Sequence, residues 1–210
     1  MKKSLLVAAF VSFGACAAVP VANAGTLIPY PTPGVANSET YSFVAAATGN
    51  ITGFLYSANA ADLDSIAMRV NGGPLGPAGL VNTSAVGTMF NFGSVTAGDV
   101  LTFVLINSTT GTNLSSNPAA NADGLQHAYS VAYTNPGPFA VAGVPTGTFV
   151  AFEDLLASQA SDFDYNDDSF VFTNVVQQIG GTTPIPGGLP LLASGLGLGL
   201  VALRRRRRKA

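Results

Sequence analysis

Carboxylates crowd into one short segment of the chain. Six carboxylates and the amide oxygen of one asparagine fall within residues 153–168, on Glu153, Asp154, Asp162, Asp164, Asn166, Asp167 and Asp168. Two like charges about 4 Å apart repel by about 1 kcal/mol in water and by about 4 kcal/mol at an effective dielectric constant near 20. A hard divalent cation offsets that repulsion, and Ca²⁺ accepts about six to eight oxygen ligands. These seven residues are therefore predicted to bind Ca²⁺.

The spacing of these residues does not fit an EF-hand. Asp162, Asp164 and Asn166 match its first three ligand positions, but Asp167 stands where a glycine is needed and Thr173 where a bidentate glutamate is needed. Aspartate and asparagine also cap turns. Two interpretations therefore stay open, a calcium site and a loop whose acidic side chains cap turns and keep a sheet edge soluble.

The charge balance of the chain bears on both interpretations. All 11 acidic residues lie between Glu39 and Asp168, and Arg69 is the only lysine or arginine between residues 25 and 183. Salt bridges inside that region are too few to neutralise the carboxylates, so solvent, backbone donors or bound cations must stabilise them. The smaller acidic pair, Asp62 and Asp64, is interpreted as turn residues.

Period-two alternation of apolar and polar residues predicts the elements that position the acidic segment. The candidate strands are residues 41–43, 51–56, 66–70, 88–92, 100–106, 127–133, 149–152 and 170–176. Loops rich in glycine, asparagine, proline and serine separate them, and no segment has a convincing helical period. This pattern predicts an all-β domain over residues 25–179, an antiparallel, jelly-roll-like β-sandwich of about eight strands.

The first residues are typical of a secretory signal peptide. Two lysines precede an apolar run, and Ala22 and Ala24 supply a small-x-small cleavage site. We expect residues 1–24 to be removed, so that Gly25 begins the exported protein. The only cysteine, Cys16, lies in a stretch that resembles a lipoprotein cleavage box, and lipid attachment there is an alternative. Cleavage after Ala24 leaves neither a disulfide nor a thiol nucleophile.

The chain ends with a proline motif, an apolar stretch and a basic block. Pro184, Ile185 and Pro186 lie in a predicted linker, residues 180–188, that leads into the uncharged residues 189–203. The basic block within residues 204–210 consists of Arg204, Arg205, Arg206, Arg207, Arg208 and Lys209. Fifteen helical residues span about 22 Å, which is short for a hydrocarbon core of about 30 Å. We predict one short transmembrane helix with a cytoplasmic basic tail that faces lipid headgroups, not nucleic acid.

This three-part order resembles the PEP-CTERM sorting signal of Gram-negative bacteria. The motif Pro184-Ile185-Pro186 lacks the glutamate of the family's name and is similar to the variant with a hydrophobic residue between the prolines. The resemblance implies an exosortase-type enzyme that cuts near the prolines and releases or transfers the exported domain. It also implies organisms that make exopolysaccharide, and therefore a place at the cell surface or in the extracellular matrix.

A second resemblance concerns the acidic segment itself. The sequence F-E-D-L at residues 152–155, followed by D-F-D-Y-N-D at residues 162–167 and an aromatic strand, resembles an uncharacterised domain family of bacterial exported proteins. The resemblance extends weakly back to Gly98. It implies a surface-associated β domain with no established activity.

Together these features predict an exported, non-catalytic surface or exopolysaccharide-matrix protein. His127 is the only histidine, and its alternating neighbours favour a packed or edge histidine over a catalytic base. The glycine-rich loops lack the lysine of a phosphate-binding loop. A carbohydrate- or surface-binding adhesin module is the alternative. A glycan hydrolase is less favoured, because the chain has no tryptophan to form a sugar platform.

Overall fold

The computed structural model describes residues 27–179, which fold into two antiparallel sheets of five strands each. The strands are β1 (Tyr41–Ala45), β2 (Gly49–Ala58), β3 (Asp64–Val70), β4 (Met89–Val95), β5 (Val100–Asn107), β6 (Thr112–Ser115), β7 (Ala128–Tyr133), β8 (Gly147–Phe152), β9 (Asp168–Thr173) and β10 (Val175–Ile179). Two short 3₁₀ helices, Pro118–Ala120 and Ala157–Gln159, lie in loops. Within the described residues no helix is long and apolar enough to cross a membrane. The predicted signal peptide, proline motif, membrane helix 189–203 and basic tail lie outside those residues.

The two sheets pair strands that are distant in sequence. The first sheet has the order β10-β1-β5-β3, with β6 also pairing with β5. The second sheet has the order β4-β2-β9-β8-β7. The predicted all-β fold of two antiparallel sheets is therefore confirmed, with ten strands where about eight were expected.

Two differences account for the extra strands. The prediction missed β6, which has only four residues, mostly polar, and pairs with the second half of β5. The predicted strand 170–176 is in fact the end of β9 and the beginning of β10, because Asn174 adopts a left-handed φ of 62°. That turn sends β10 across to the first sheet, where it pairs with β1.

The main core lies between the sheets and is built from alternate residues of their strands. Phe103 of the first sheet stacks on Phe172 of the second, with ring centroids 4.0 Å apart. Phe43 meets Phe103 edge-on at 5.2 Å. All three side chains are at most 1% exposed, so aromatic contacts across the gap hold the sheets together.

A second apolar cluster covers the outer face of the second sheet. Its buried members are Tyr30, Tyr56, Tyr129, Tyr133, Val141, Val144, Phe149, Ala151, Tyr165 and Val171. The strands β2, β7, β8 and β9 supply part of this cluster, and the remainder comes from the N-terminal segment, the β7–β8 loop and the acidic loop. The acidic loop is therefore packed onto a sheet face.

Replacing Phe172 with alanine should lower the free energy of unfolding by about 3–5 kcal/mol, because it removes a buried ring that contacts both sheets and leaves a cavity. The matched control is Val176→Ala in β10, the next strand along the chain. Val176 is 44% exposed, so this substitution should change the free energy of unfolding by less than about 0.5 kcal/mol. Urea unfolding followed by far-UV circular dichroism measures both. Equal losses for the two variants would contradict the assignment of Phe172 to the core.

Candidate metal centre

The pleat of β8 divides the acidic segment between two sides of the second sheet. Val150 and Phe152 point into the core between the sheets, whereas Phe149 and Ala151 belong to the outer cluster. Continuing this alternation places Glu153 on the outer side and Asp154 on the inner side. The seven predicted ligands therefore do not form a single site.

The outer group consists of Glu153, Asp162 and Asp164. One carboxylate oxygen from each lies within 4.8 Å of the other two. Glu153 is buried, Asp164 is half-buried and Asp162 is exposed. Within residues 27–179 no other three acidic, histidine or cysteine side chains meet at this spacing. The outer group offers the hard oxygen donors that Ca²⁺ takes.

Glu153 organises the loop that carries the other two carboxylates. Its carboxylate accepts hydrogen bonds from the Ser161 hydroxyl, from the Phe163 backbone N–H at 3.0 Å and from the Tyr165 backbone N–H. Phe163 and Tyr165 adopt left-handed φ values of 50° and 56°, and the N–H groups of these two alternate residues point toward the same carboxylate. A carboxylate has about four acceptor positions, so Glu153 keeps one free beside Asp162 and Asp164.

Tyr165 fixes the other side of the loop. Its ring is 1% exposed and packs against the Tyr30 ring at a centroid distance of 4.5 Å. Its hydroxyl donates to the Gln126 carbonyl at 2.7 Å and accepts from the Asn37 N–H at 2.8 Å. These contacts of Tyr165 fix the loop that carries Asp162 and Asp164.

Asn166 lies beside the outer group as a partner of Asp164. Its backbone N–H donates to Asp164 Oδ1 at 3.1 Å, and its side-chain amide donates to Asp164 Oδ2. The Asn166 Oδ1 atom accepts from the Asn59 side chain at 3.3 Å. Asn166 therefore orients the Asp164 carboxylate. The Asn166 Oδ1 atom is already hydrogen-bonded to Asn59.

The remaining predicted ligands form an inner group at the end of the gap between the sheets. Asp154, Asp167 and Asp168 lie there together with Asp62 and Asp64. Asp64 begins β3 and is 1% exposed, so the interpretation of this residue as a solvated turn residue was wrong. Its burial follows from period two, because Asp64 shares the inward face of Ile66 and Met68.

Burial raises the pKa of the acidic groups on both sides of the sheet. It raises the pKa of Glu153 to about 7, with the nearby charges of Asp167 and Asp162 adding to the rise and the hydrogen bonds from Ser161 and Tyr165 opposing it. In the inner group, burial raises the pKa of Asp64, Asp154, Asp167 and Asp168, and neighbouring carboxylates raise it further. Without a compensating cation, the folded protein disfavours the ionised form of these carboxyls.

The single histidine is buried and lies next to an aspartate. His127 is fully buried, and its Nε2 atom lies 3.0 Å from Asp123 Oδ2. Asp123 also accepts hydrogen bonds from the Leu125 and Ala157 backbone N–H groups. Asp123 and His127 thus link the start of β7 to the 3₁₀ helix that leads into the acidic loop.

Residue spacing predicted neither the place of Asp64 in the inner group nor the hydrogen bonds of Tyr165 and Asn107 beside the two groups. The inward positions of Asp64 and Asn107 follow from extending the apolar alternation of β3 and β5 by one more residue pair. Tyr165 had no such signal, because its role depends on a left-handed loop conformation.

Comparison with known proteins gives one family match. Residues 95–174 match a family model described as a domain of unknown function (DUF4114). The match covers well under half of the chain but includes β5 to β9 and the whole acidic segment. It confirms the resemblance of that segment to an uncharacterised domain family. Neither a curated protein nor a solved structure matches the chain.

In buffer freed of divalent cations, the unfolding midpoint should fall as the pH rises from about 5 to about 8. A carboxyl whose pKa is higher in the folded state than in the unfolded state favours folding while it is protonated, and this contribution is lost as the pH rises through the folded pKa. For Glu153 that window runs from its ordinary pKa of 4.5 to about 7. Thermal melts followed by circular dichroism at several pH values measure the effect.

Two variants control this experiment. Glu153→Gln should give a shallower fall, because it removes one of the responsible groups. Glu39→Gln changes an exposed carboxyl outside both groups and should keep the wild-type slope. A wild-type midpoint that rises with pH over this range would contradict the raised pKa values.

Proposed function

We propose that the chain is an exported, non-catalytic cell-surface or exopolysaccharide-matrix protein whose β-sandwich domain binds Ca²⁺ at the outer group. The observation that carries the calcium part is the convergence of Glu153, Asp162 and Asp164 within 4.8 Å. The exported part rests on the signal-peptide pattern of residues 1–24 and on the C-terminal resemblance to a sorting signal.

The charge balance supports a cation at the outer group. Arg69 donates a hydrogen bond to the Gly73 carbonyl at 3.1 Å, and the only ion pair within residues 27–179 is that of His127 with Asp123. Among these described residues, no lysine, arginine or histidine therefore neutralises the three carboxylates. Ca²⁺ suits this loop better than Mg²⁺, because Ca²⁺ accepts irregular geometry and variable ligand number, whereas Mg²⁺ needs near-ideal octahedral geometry.

A cation at the outer group would join the acidic loop to the end of β8. Glu153 immediately follows β8, whereas Asp162 and Asp164 belong to the loop that covers the outer aromatic cluster. A cation bound at the outer group would therefore hold the acidic loop against the second sheet. Extracellular modules commonly bind Ca²⁺ with dissociation constants of about 10⁻⁴–10⁻³ M, and an exported protein meets such concentrations.

The surface of the described residues favours a non-catalytic role. Its large exposed apolar side chains are all aliphatic: Val35, Leu63, Val81, Met89, Val100 and Val176. An open groove of about 430 Å³ between the edges of the two sheets is lined by Ser130, Val131, Ala132, Thr148, Val175, Val176 and Gln177. The Ser130 and Thr148 hydroxyls in that groove donate to other groups of the protein. A sugar-stacking platform is therefore not evident among these residues.

The proposed partners follow from the two ends of the chain. An exosortase-type enzyme would process the motif Pro184-Ile185-Pro186, and the membrane would hold the precursor through residues 189–203. The released domain is proposed to lie in an exopolysaccharide matrix. An adhesin function would instead show saturable glycan binding by the purified protein, and a hydrolase would release glycan fragments.

Millimolar Ca²⁺ should raise the thermal unfolding midpoint of the purified chain relative to chelator, because the cation binds the folded loop and not the unfolded chain. At about one hundred times the dissociation constant, one site adds about 2.7 kcal/mol. Mg²⁺ should add less. Asp162→Asn combined with Asp164→Asn should reduce the Ca²⁺ response, yet change stability little in chelator, because it also relieves repulsion.

The matched control for this double variant is Glu39→Gln combined with Asp99→Asn, which removes the same number of charges outside both acidic groups. It should keep the full Ca²⁺ response. Equal thermal unfolding midpoints of the wild-type chain in Ca²⁺ and in chelator would contradict the calcium proposal. The acidic side chains would then be interpreted as turn caps.

Processing in the native host is expected to produce a protein that begins at Gly25 and lacks Arg204 to Lys209. The reason is the small-x-small site at Ala22 to Ala24 and the order of proline motif, apolar stretch and basic block. Intact-mass spectrometry of the purified protein measures both cleavages and any lipid on Cys16. Recovery of the full-length chain with its basic tail, from a host that carries a matching exosortase-type enzyme, would contradict the sorting proposal.

A further inference from the structure

The inner group lies where the two sheets meet at one end of the core. Asp64 begins β3 on the same face as Ile66, and Asp168 begins β9 on the same face as Phe170. Because Ile66 and Phe170 both belong to the core between the sheets, Asp64 and Asp168 face each other across the gap. Their carboxyl groups lie within interaction distance.

These two side chains are buried without donors. Asp64 is 1% exposed and Asp168 is fully buried. Among the described residues, no donor reaches Asp64 Oδ1 or either carboxylate oxygen of Asp168. The Asp64 Oδ2 atom has only a long contact, 3.4 Å, from the Asn82 side chain. Nearly all buried polar atoms in folded proteins have a hydrogen-bond partner. Three buried oxygens without such a partner in one place therefore indicate that a further group binds there.

Two of the carboxylates around this pair, in contrast, are held by donors. Asp62 Oδ2 accepts from the Asn107 side chain at 2.8 Å, and Asp167 Oδ2 accepts from the Asp154 N–H at 3.0 Å. The same Asn107 amide donates to the Asp154 carbonyl at 2.9 Å, which ties β5 of the first sheet to the segment after β8. These donors fix the positions of Asp62 and Asp167 beside the pair.

We propose that Asp64 and Asp168 supply the direct ligands of a second divalent-cation site, which takes Ca²⁺ between the two sheets. Asp62, Asp154 and Asp167 lie near this pair and add negative charge, but no three carboxylates here approach one another as closely as those of the outer group. This inner site uses other residues than the outer group. A cation bound there would join β3 of the first sheet to β9 of the second at one end of the hydrophobic core.

A proton shared by Asp64 and Asp168 is the competing explanation. One proton would join one Asp64 oxygen to one Asp168 oxygen, and it would leave at least one of the three unpartnered oxygens without a partner. A divalent cation neutralises two charges and also supplies a partner for all three unpartnered oxygens. Charged groups removed from water are tolerated when they are paired or bind a metal.

Counting bound Ca²⁺ tests the inner site. Equilibrium dialysis of the full-length chain against Ca²⁺ alone should show about one Ca²⁺ per chain fewer for Asp64→Asn combined with Asp168→Asn than for wild type. Asp162→Asn combined with Asp164→Asn should retain the inner Ca²⁺. The variant Glu39→Gln with Asp99→Asn removes two carboxylates elsewhere and should bind as wild type does.

The outcomes separate the two sites. A wild-type count in the Asp64→Asn, Asp168→Asn variant overturns the inner site and leaves the outer one standing. A reduced count in this variant, with an unchanged count in the Asp162→Asn, Asp164→Asn variant, supports the inner site and overturns the outer one. If the inner variant does not fold, the outer variant decides the question: one retained Ca²⁺ per chain supports the inner site, and none overturns it.

Discussion

Repulsion among carboxylates at one end of the sandwich is the constraint on which this structure depends. The outer and inner groups together hold eight of the 11 acidic residues, and Arg69, the only lysine or arginine in the domain, bonds to a backbone carbonyl elsewhere. Backbone and amide donors stabilise part of this charge, as at Glu153 and Asp62. Hydrogen bonds alone leave Asp64 and Asp168 unsatisfied in the interior. The stability of the fold at this end therefore depends on what neutralises the remaining charge.

The pleat of a single strand explains why one acidic segment serves two places. Successive side chains of β8 alternate between the core and the outer cluster, and the alternation continues into Glu153 and Asp154. Glu153 then anchors the loop outside the second sheet, whereas Asp154 joins the aspartates between the sheets. The loop returns to the sheet at Asp168, again on the inner face. A cation on either side would thus act on the same short segment.

Periodicity predicted most of the fold, and its limits explain the rest. Segments such as Val100–Asn107 and Gly147–Phe152 carry enough alternating or apolar residues to be recognised as strands. β6 is short and mostly polar, and its pairing with β5 decides its structure. The break at Asn174 depends on a left-handed residue that the apolar pattern around it hides. The acidic residues were recognised as a cluster, but their division into two groups requires the register of β3 against β5 and of β9 against β8, which local sequence does not specify.

A cation between the sheets would take the place that a disulfide has in many exported domains. The only cysteine of the chain is Cys16, so no disulfide within the chain can join the two sheets. A disulfide stabilises a fold chiefly by lowering the entropy of the unfolded chain, whereas a cation that binds only the folded protein stabilises it by mass action. Unlike a disulfide, a bound cation contributes in proportion to the logarithm of its concentration above the dissociation constant. A domain with such a site would be least stable where free Ca²⁺ is scarce, and its stability would rise with the Ca²⁺ concentration around it.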